Sequence, residues 1–276
     1  MKCINFDEHF AEFVSEWVKK HQNEYRNFDE MEADMPRAYM EFLNTPAKWL
    51  EQITPGAYFT QFEDAKDLVD WLCAYCEQQV PVPDILLEQI VNVGRPCEKR
   101  LTELLKNETA PQEAKMTAVG LLREMNSTLP KMLYISWQID RKEEDELCDN
   151  ALESLKAMGA SVVQPIIQEL PKANQAGMEA LLDVLADYPG PEQTYRLAIE
   201  LFEKVPSKQA IFAGYLAKIG DPRAIPELIK AAEREDCTYL NYIEIRNAIE
   251  ELGGDCPDRE YIDDPEYEAL RGMDLN

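Results

Sequence analysis

Histidine is scarce in this chain. Only His9 and His21 occur among 276 residues, and neither follows a glutamate by three positions, which excludes the Glu-x-x-His pattern of di-iron bundles. Both are expected on the polar, solvent-facing side of an N-terminal helix, not in acid–base chemistry. There is no Gly-Lys dipeptide, no G-x-G-x-x-G and no G-x-S-x-G, so phosphate-cradling loops and hydrolase nucleophile elbows have no residues to form them. No apolar run nears the ~20 residues that span a bilayer. The N-terminal Met1-Lys2-Cys3-Ile4-Asn5-Phe6-Asp7-Glu8 turns acidic before any signal-peptide core forms. Nor does any stretch alternate apolar and polar residues as a half-buried strand does.

Positive charge is scarce as well. Twenty-eight lysines and arginines stand against 53 acids, a formal charge of −25. The longest basic runs are the pairs Lys19-Lys20 and Arg141-Lys142, each with acids nearby. Such a chain repels nucleic-acid phosphates and anionic lipid, so neither nucleic acid nor membrane is an expected partner. Seven cysteines, odd in number and scattered, argue for reduced thiols in the cytoplasm over a disulfide scaffold. The C-x-x-C of Cys73-Ala74-Tyr75-Cys76 has no second pair to complete a zinc site. It also lies inside a predicted helix, away from the helix start a redox motif uses. The acids Asp140, Glu143, Glu144, Asp145, Glu146 and Asp149 lack the glycine and ligand spacing of an EF-hand loop, and read as a solvated linker and helix start. No metal, no cofactor and no catalytic residue is expected.

What the chain does have is a beat. Gly94, Asn126, Gly159, Gly190, Gly220 and Gly253 each end an apolar helical stretch, 30 to 33 residues apart. Proline follows at 96, 130, 165, 191 and 226, where a first helical turn loses no hydrogen bond to it. A fixed period near 32 marks stacked helix pairs, none of which buries its apolar face alone. The first 81 residues are different. They hold all of the 14 aromatic residues, among 25 in the chain, that lie at or before Tyr75. Phe6, Phe10, Phe13, Val14 and Trp17 keep helical spacing behind an Asn5–Glu8 capping pair; Pro36 opens a helix that Asn44-Thr45-Pro46 stops; a further helix runs from about Glu63 to Gln79. Helical spacing assigns Trp17, Trp49 and Trp71 to the core in preference to an exposed recognition patch. Val80-Pro81-Val82-Pro83 interrupts helix and sets the expected boundary between residues 1–81 and repeats over 82–254. Residues 255–276 hold eight acids against two arginines and form an acidic cap or tail, with Asp264-Pro265 suited to start a short helix.

One unit carries a signature. Tyr215-Leu216-Ala217-Lys218-Ile219-Gly220-Asp221-Pro222-Arg223-Ala224-Ile225-Pro226-Glu227-Leu228-Ile229 resembles the bacterial HEAT-like repeat of the phycobilisome-lyase type, and Ala157-Met158-Gly159 to Val163-Gln164-Pro165-Ile166-Ile167 is a looser match. The resemblance implies an all-α solenoid of HEAT-like helix pairs, about five plus a final helix, with the aromatic-rich helical region in front. It also implies a protein-binding scaffold, since the motif positions are packing residues and no catalytic residue carries over. The expected function is therefore a non-enzymatic scaffold presenting an acidic surface to a basic protein partner. Two rivals stand beside it: an enzyme of the HEAT-like class acting on a chromophore or on an alkylated DNA base, and an acidic mimic that occupies a nucleic-acid-binding protein. Tyr134 and Trp137, with Arg100 and Arg196 as polar contacts, are the expected partner-binding residues.

Overall fold

A computed structural model of the protein describes residues 1–142, 144–261 and Tyr267. Every regular element among the described residues is helical. Two compact units divide between Pro130 and Lys131.

The first unit contains α1 (Phe6–His21), α2 (Phe28–Ala33), α3 (Met35–Asn44), α4 (Ala65–Glu77), α5 (Asp84–Val93), α6 (Arg95–Lys106) and α7 (Gln112–Glu124). Asn5 caps α1 by accepting from the Glu8 amide at 3.2 Å, and Asp64 caps α4 through the amides of Lys66 and Asp67. Each cap supplies a partner for an amide that has none inside the helix, worth about 1 kcal/mol. Aromatic rings pack edge to face on the fully buried Phe59, Tyr58 at 4.9 Å and Trp71 at 6.0 Å, while Phe6 meets Trp49 at 5.3 Å and Phe10 meets Phe42 at 5.3 Å. Trp17 is buried and donates to Glu41 at 3.0 Å, while Trp49 and Trp71 are half-buried. The N-terminal residues are tied down by α4. The buried Tyr75 hydroxyl donates to the Ile4 carbonyl at 3.1 Å, and Gln78 bonds the backbone of both Cys3 and Met1. The Val80–Pro83 segment is non-helical, and α4 packs directly on α5, α6 and α7 of the same unit.

The histidines depart from expectation. His21 is buried, its Nδ1 2.9 Å from the Trp17 carbonyl, and His9 stacks flat on Trp49 with ring centroids 3.9 Å apart. A flat imidazole has an apolar face as well as a polar edge, and here indole rings take that face.

The second unit contains α8 (Lys131–Ile139), α9 (Glu146–Ala157), α10 (Val163–Glu169), α11 (Gln175–Leu185), α12 (Glu192–Lys204), α13 (Gln209–Ile219), α14 (Ile225–Ala232) and α15 (Tyr239–Glu251). Consecutive helices pack together: α8 on α9, α11 on α12, α12 on α13 and α14 on α15, with α13 also against α15. All six punctuation residues of the sequence have positive φ, from 53° at Asn126 to 128° at Gly190. Gly220, at φ 71°, shows what this does: its amide bonds the Leu216 and Ala217 carbonyls, closing α13 in a conformation that costs other L-residues about 1 kcal/mol or more. The core is the inward stripe of each helix, such as Leu181, Leu182 and Leu185 of α11 and Phe212, Ala213 and Leu216 of α13. Each large buried side chain contributes about 1.5–3 kcal/mol.

Ion pairs repeat with the same period. Glu179 pairs with Lys208, Asp187 with Lys218 and Glu192 with Arg223, at separations of 29, 31 and 31 residues. Each joins one helix pair to the next. Residues 257–259 form a strap over the last pair. Arg259 donates to the carbonyls of Ala232, Arg234 and Glu235 just after α14, and Tyr242 donates to Pro257 at 2.9 Å. A guanidinium at a helix C-terminus satisfies carbonyls that have no amide partner. The short helix expected after Asp264-Pro265 lies outside the described residues, Tyr267 excepted. No helix among the described residues is long and apolar enough to cross a membrane.

Candidate functional site

One cleft of about 570 Å³ lies on the face shared by α9, α11 and α13. That volume falls within the ~300–1,000 Å³ range of ligand sites, though this one is open along its length. Its position follows from how α9 and α11 start. Asp145 caps α9 by accepting from the Cys148 amide, and Asn174 caps α11 by accepting from the Gly177 amide at 2.8 Å. The Asn174 side chain also donates to the Arg141 carbonyl at 2.9 Å, and its amide donates to the Ile139 carbonyl at 2.8 Å. These bonds lock α11 against the end of α8. The approach is so close that a Cβ on Gly177 would sit 2.1 Å from the Gln138 carbonyl oxygen.

Arg141 closes one end of the cleft. Its guanidinium is almost wholly buried, donating to Gln138 at 2.8 Å and pairing with Asp149. Gln138, fully buried, passes the network on to the Cys148 carbonyl at 2.9 Å. Burial of an arginine is tolerated only with this degree of pairing. The acidic cluster that precedes α9 thus has a structural use: Asp145 caps and Asp149 neutralises, while Glu143 lies outside the described residues.

Carboxylates line the wall. Glu179 and Asp183, one turn apart on α11, face the cleft with side chains 14% and 26% exposed. Lys208 pairs with Glu179 at 2.5 Å and Lys156 with Asp183 at 2.7 Å. Burial disfavours the Lys156 ammonium, yet hydrogen bonds to Asp183 and Glu153 hold its pKa above the ordinary value. On α13, Tyr215 stands beside Asp183; burial, then the Asp183 charge, pushes its phenol well above the usual range, so it stays protonated. The floor is apolar, from Leu152, Ala176, Ala180 and Phe212, and Ile211 is 52% exposed above it. A separate, smaller recess of about 300 Å³ lies between α13 and α15, lined by Gly214, Ala217, Glu244, Asn247, Glu250 and Glu251.

The residues singled out from sequence fall elsewhere. Tyr134 is fully buried on the inner stripe of α8 with Ile135, so it is a core residue and offers no surface to a partner. Trp137 is half-buried, its ring 5.5 Å from that of Tyr134. Arg196 is exposed and pairs with Glu192 at 3.1 Å on α12. Arg100, in the first unit, pairs with Glu103 at 3.0 Å and Asp70 at 3.7 Å. The cleft is lined by other residues. The sequence signal for them was α13 itself, Gln209-Ala-Ile-Phe-Ala-Gly-Tyr-Leu-Ala-Lys-Ile219, which is apolar over most of its circumference, with Gln209 and Lys218 its polar side chains. Such a helix is either wholly buried or leaves apolar surface for something else to cover, and Ile211 is that surface here.

Cys73 and Cys76 both lie within α4. Burial raises both thiols, Cys76 to about 11. That is opposite to the lowered pKa of a reactive or metal-binding thiol. Among the described residues, no group of three or more histidine, cysteine, aspartate or glutamate side chains is placed to hold a metal ion.

Residues 209–234, which form α13, its glycine stop and α14, match the family model of the PBS lyase HEAT-like repeat. The chain carries a HEAT-like repeat. No curated protein and no solved structure matches it. The matched segment contributes Ile211, Phe212 and Tyr215 to the cleft, so one helix of the repeat supplies both the packing motif and part of the surface.

Proposed function

We propose that this HEAT-like repeat protein is a non-enzymatic scaffold, and that the face of α9, α11 and α13 docks a protein partner of basic character. One observation carries the reading: an open cleft with an apolar floor, an exposed Ile211 and a wall of half-buried carboxylates, in a chain of charge −25. Apolar area supplies affinity, and the carboxylates steer and select an oppositely charged surface. Glu244, Glu250 and Glu251 of α15 add negative charge in the same unit. The cleft's carboxylates work against a phosphate backbone, which disfavours base excision on DNA. Seven free thiols support a reducing, cytoplasmic setting.

The test is quantitative capture from lysate on three baits: the native chain, Ile211→Asp, and an exposed control, Glu108→Gln with Glu124→Gln. A partner held by the native chain and the control but lost from Ile211→Asp supports the reading. Equal capture on all three places the partner elsewhere and overturns it.

A further inference from the structure

The cleft presents two carboxylates and an aromatic ring, the same kinds of group that hold a guanidinium elsewhere in the unit. On α12, Glu192 and Tyr195 lie three residues apart, and the Arg223 guanidinium sits over the Tyr195 ring at 4.3 Å while donating to Glu192 at 2.8 Å. Asp221 takes the rest of that guanidinium. Carboxylates and an aromatic face are what a planar, five-donor cation uses and what a point-charge ammonium uses less well. In the cleft, Glu179 and Asp183 supply the carboxylates and Tyr215 the ring, which the Lys218 ammonium approaches at 5.9 Å.

Here the present occupants are lysines. Lys156 and Lys208 are 31% and 45% exposed, so each ammonium has water beside it into which it can turn. The carboxylates stay, held by α11 and, for Glu179, by Gln175 at 3.0 Å. Arg141 adds little repulsion to a second cation at the cleft, because Asp149 offsets its charge. Ile211 covers the methylene stem of an entering long side chain.

Resting on the docking reading above, we propose that this cleft takes an arginine side chain from an extended basic segment of the partner. Glu179 and Asp183 accept from its guanidinium, Tyr215 gives it a face to stack on, and Lys156 and Lys208 turn outward as it enters. The partner is thereby narrowed from a basic surface to a segment bearing an accessible arginine.

The experiment is a fluorescence-anisotropy titration of the full chain with three blocked, fluorescein-labelled peptides of alternating glycine with arginine, lysine or citrulline. The arginine peptide is expected to bind several-fold more tightly than the lysine peptide, and the neutral citrulline peptide not to bind. Glu179→Gln with Asp183→Asn weakens arginine binding about tenfold or more, since the charged acceptors are lost. Glu108→Gln with Glu124→Gln, which removes the same net charge, changes it less than about twofold once salt screens the distant acids. Tyr215→Leu narrows the gap between arginine and lysine. Unchanged far-UV dichroism and melting temperature confirm that each variant is folded. Equal loss in the two charge-removing variants means that net charge alone binds the peptide, and overturns the proposal. So does equal affinity for lysine and arginine. In either case, partner loss on Ile211→Asp still separates the broader docking reading, which stands or falls by that variant.

Discussion

Replacing Gly177 by alanine should destabilise the protein, although alanine is the better helix former. Gly177 lies in the first turn of α11, where a glycine-to-alanine change ordinarily gains up to about 1 kcal/mol. Here the new Cβ would stand 2.1 Å from the Gln138 backbone oxygen, which must open to the ~3.5 Å of an ordinary contact. Neither partner is a flexible side-chain tip, so α11 itself has to move off the end of α8. That movement pulls on the bonds from Asn174 to the Ile139 and Arg141 carbonyls and on the cap from Asn174 to the residue 177 amide. Loss of the cap costs about 1 kcal/mol, and weakening the two other bonds about 0.5–1.5 each. Against the helix gain, the net is a destabilisation of about 1–3 kcal/mol. Urea unfolding followed by far-UV dichroism measures it. Gly120→Ala and Gly214→Ala are the internal controls, because nothing lies within 4 Å of either new Cβ, and both should gain stability, up to about 1 kcal/mol. A Gly177→Ala protein as stable as those controls would refute the close packing of α11 on α8, and with it the placement of the cleft.

Three further predictions follow from single contacts. Arg259→Ala removes the donor that spans three carbonyls after α14, and amide exchange of residues 255–261 should accelerate while that of α9 and α11 does not change. The Arg223 guanidinium lowers the Glu192 and Asp221 pKa values below their ordinary 4.5 and 3.8, helped at Glu192 by Arg196. Carboxylates with depressed folded-state pKa values lend stability above the unfolded values and lose it as pH falls through the folded ones. The melting-temperature difference between native and Arg223→Gln should therefore be constant above about pH 5 and shrink below about pH 4. Burial pushes the Cys97 thiol to about 11 and, with Asp145 adding to it, the Cys148 thiol to about 12. At pH 8 both should resist a disulfide reagent in the native protein and react at once in denaturant.

Much of the fold was legible because its rules are local. Glycine or asparagine after an apolar run signals a left-handed helix stop, and Asn126, the one non-glycine among the six, has φ 53° as that reading requires. Pro96, Pro165 and Pro226 fall in the first turns of α6, α10 and α14 for the same local reason. The site was less legible. Glu179 and Asp183 are ordinary helix acids in sequence. Their meaning depends on how α11 is rotated against α9 and α13, which is set by tertiary contacts such as Gly177 on Gln138. Tyr134 shows the converse: an aromatic on a return helix looks available, yet α8 packs on α9, α10 and α11, so its inner stripe is closed over. His21 was misread because polarity was taken from the residue type alone, whereas Trp17 offers it both a carbonyl and a ring.

The central claim is that a partner docks on the face of α9, α11 and α13. Hydrogen exchange of the full chain, with and without a partner captured on the native bait, tests it most directly. The account predicts slowed exchange in peptides covering residues 146–157, 175–185 and 209–219, with little change in residues 1–81. Protection confined to the N-terminal aromatic region, with those three helices unaffected, would contradict it.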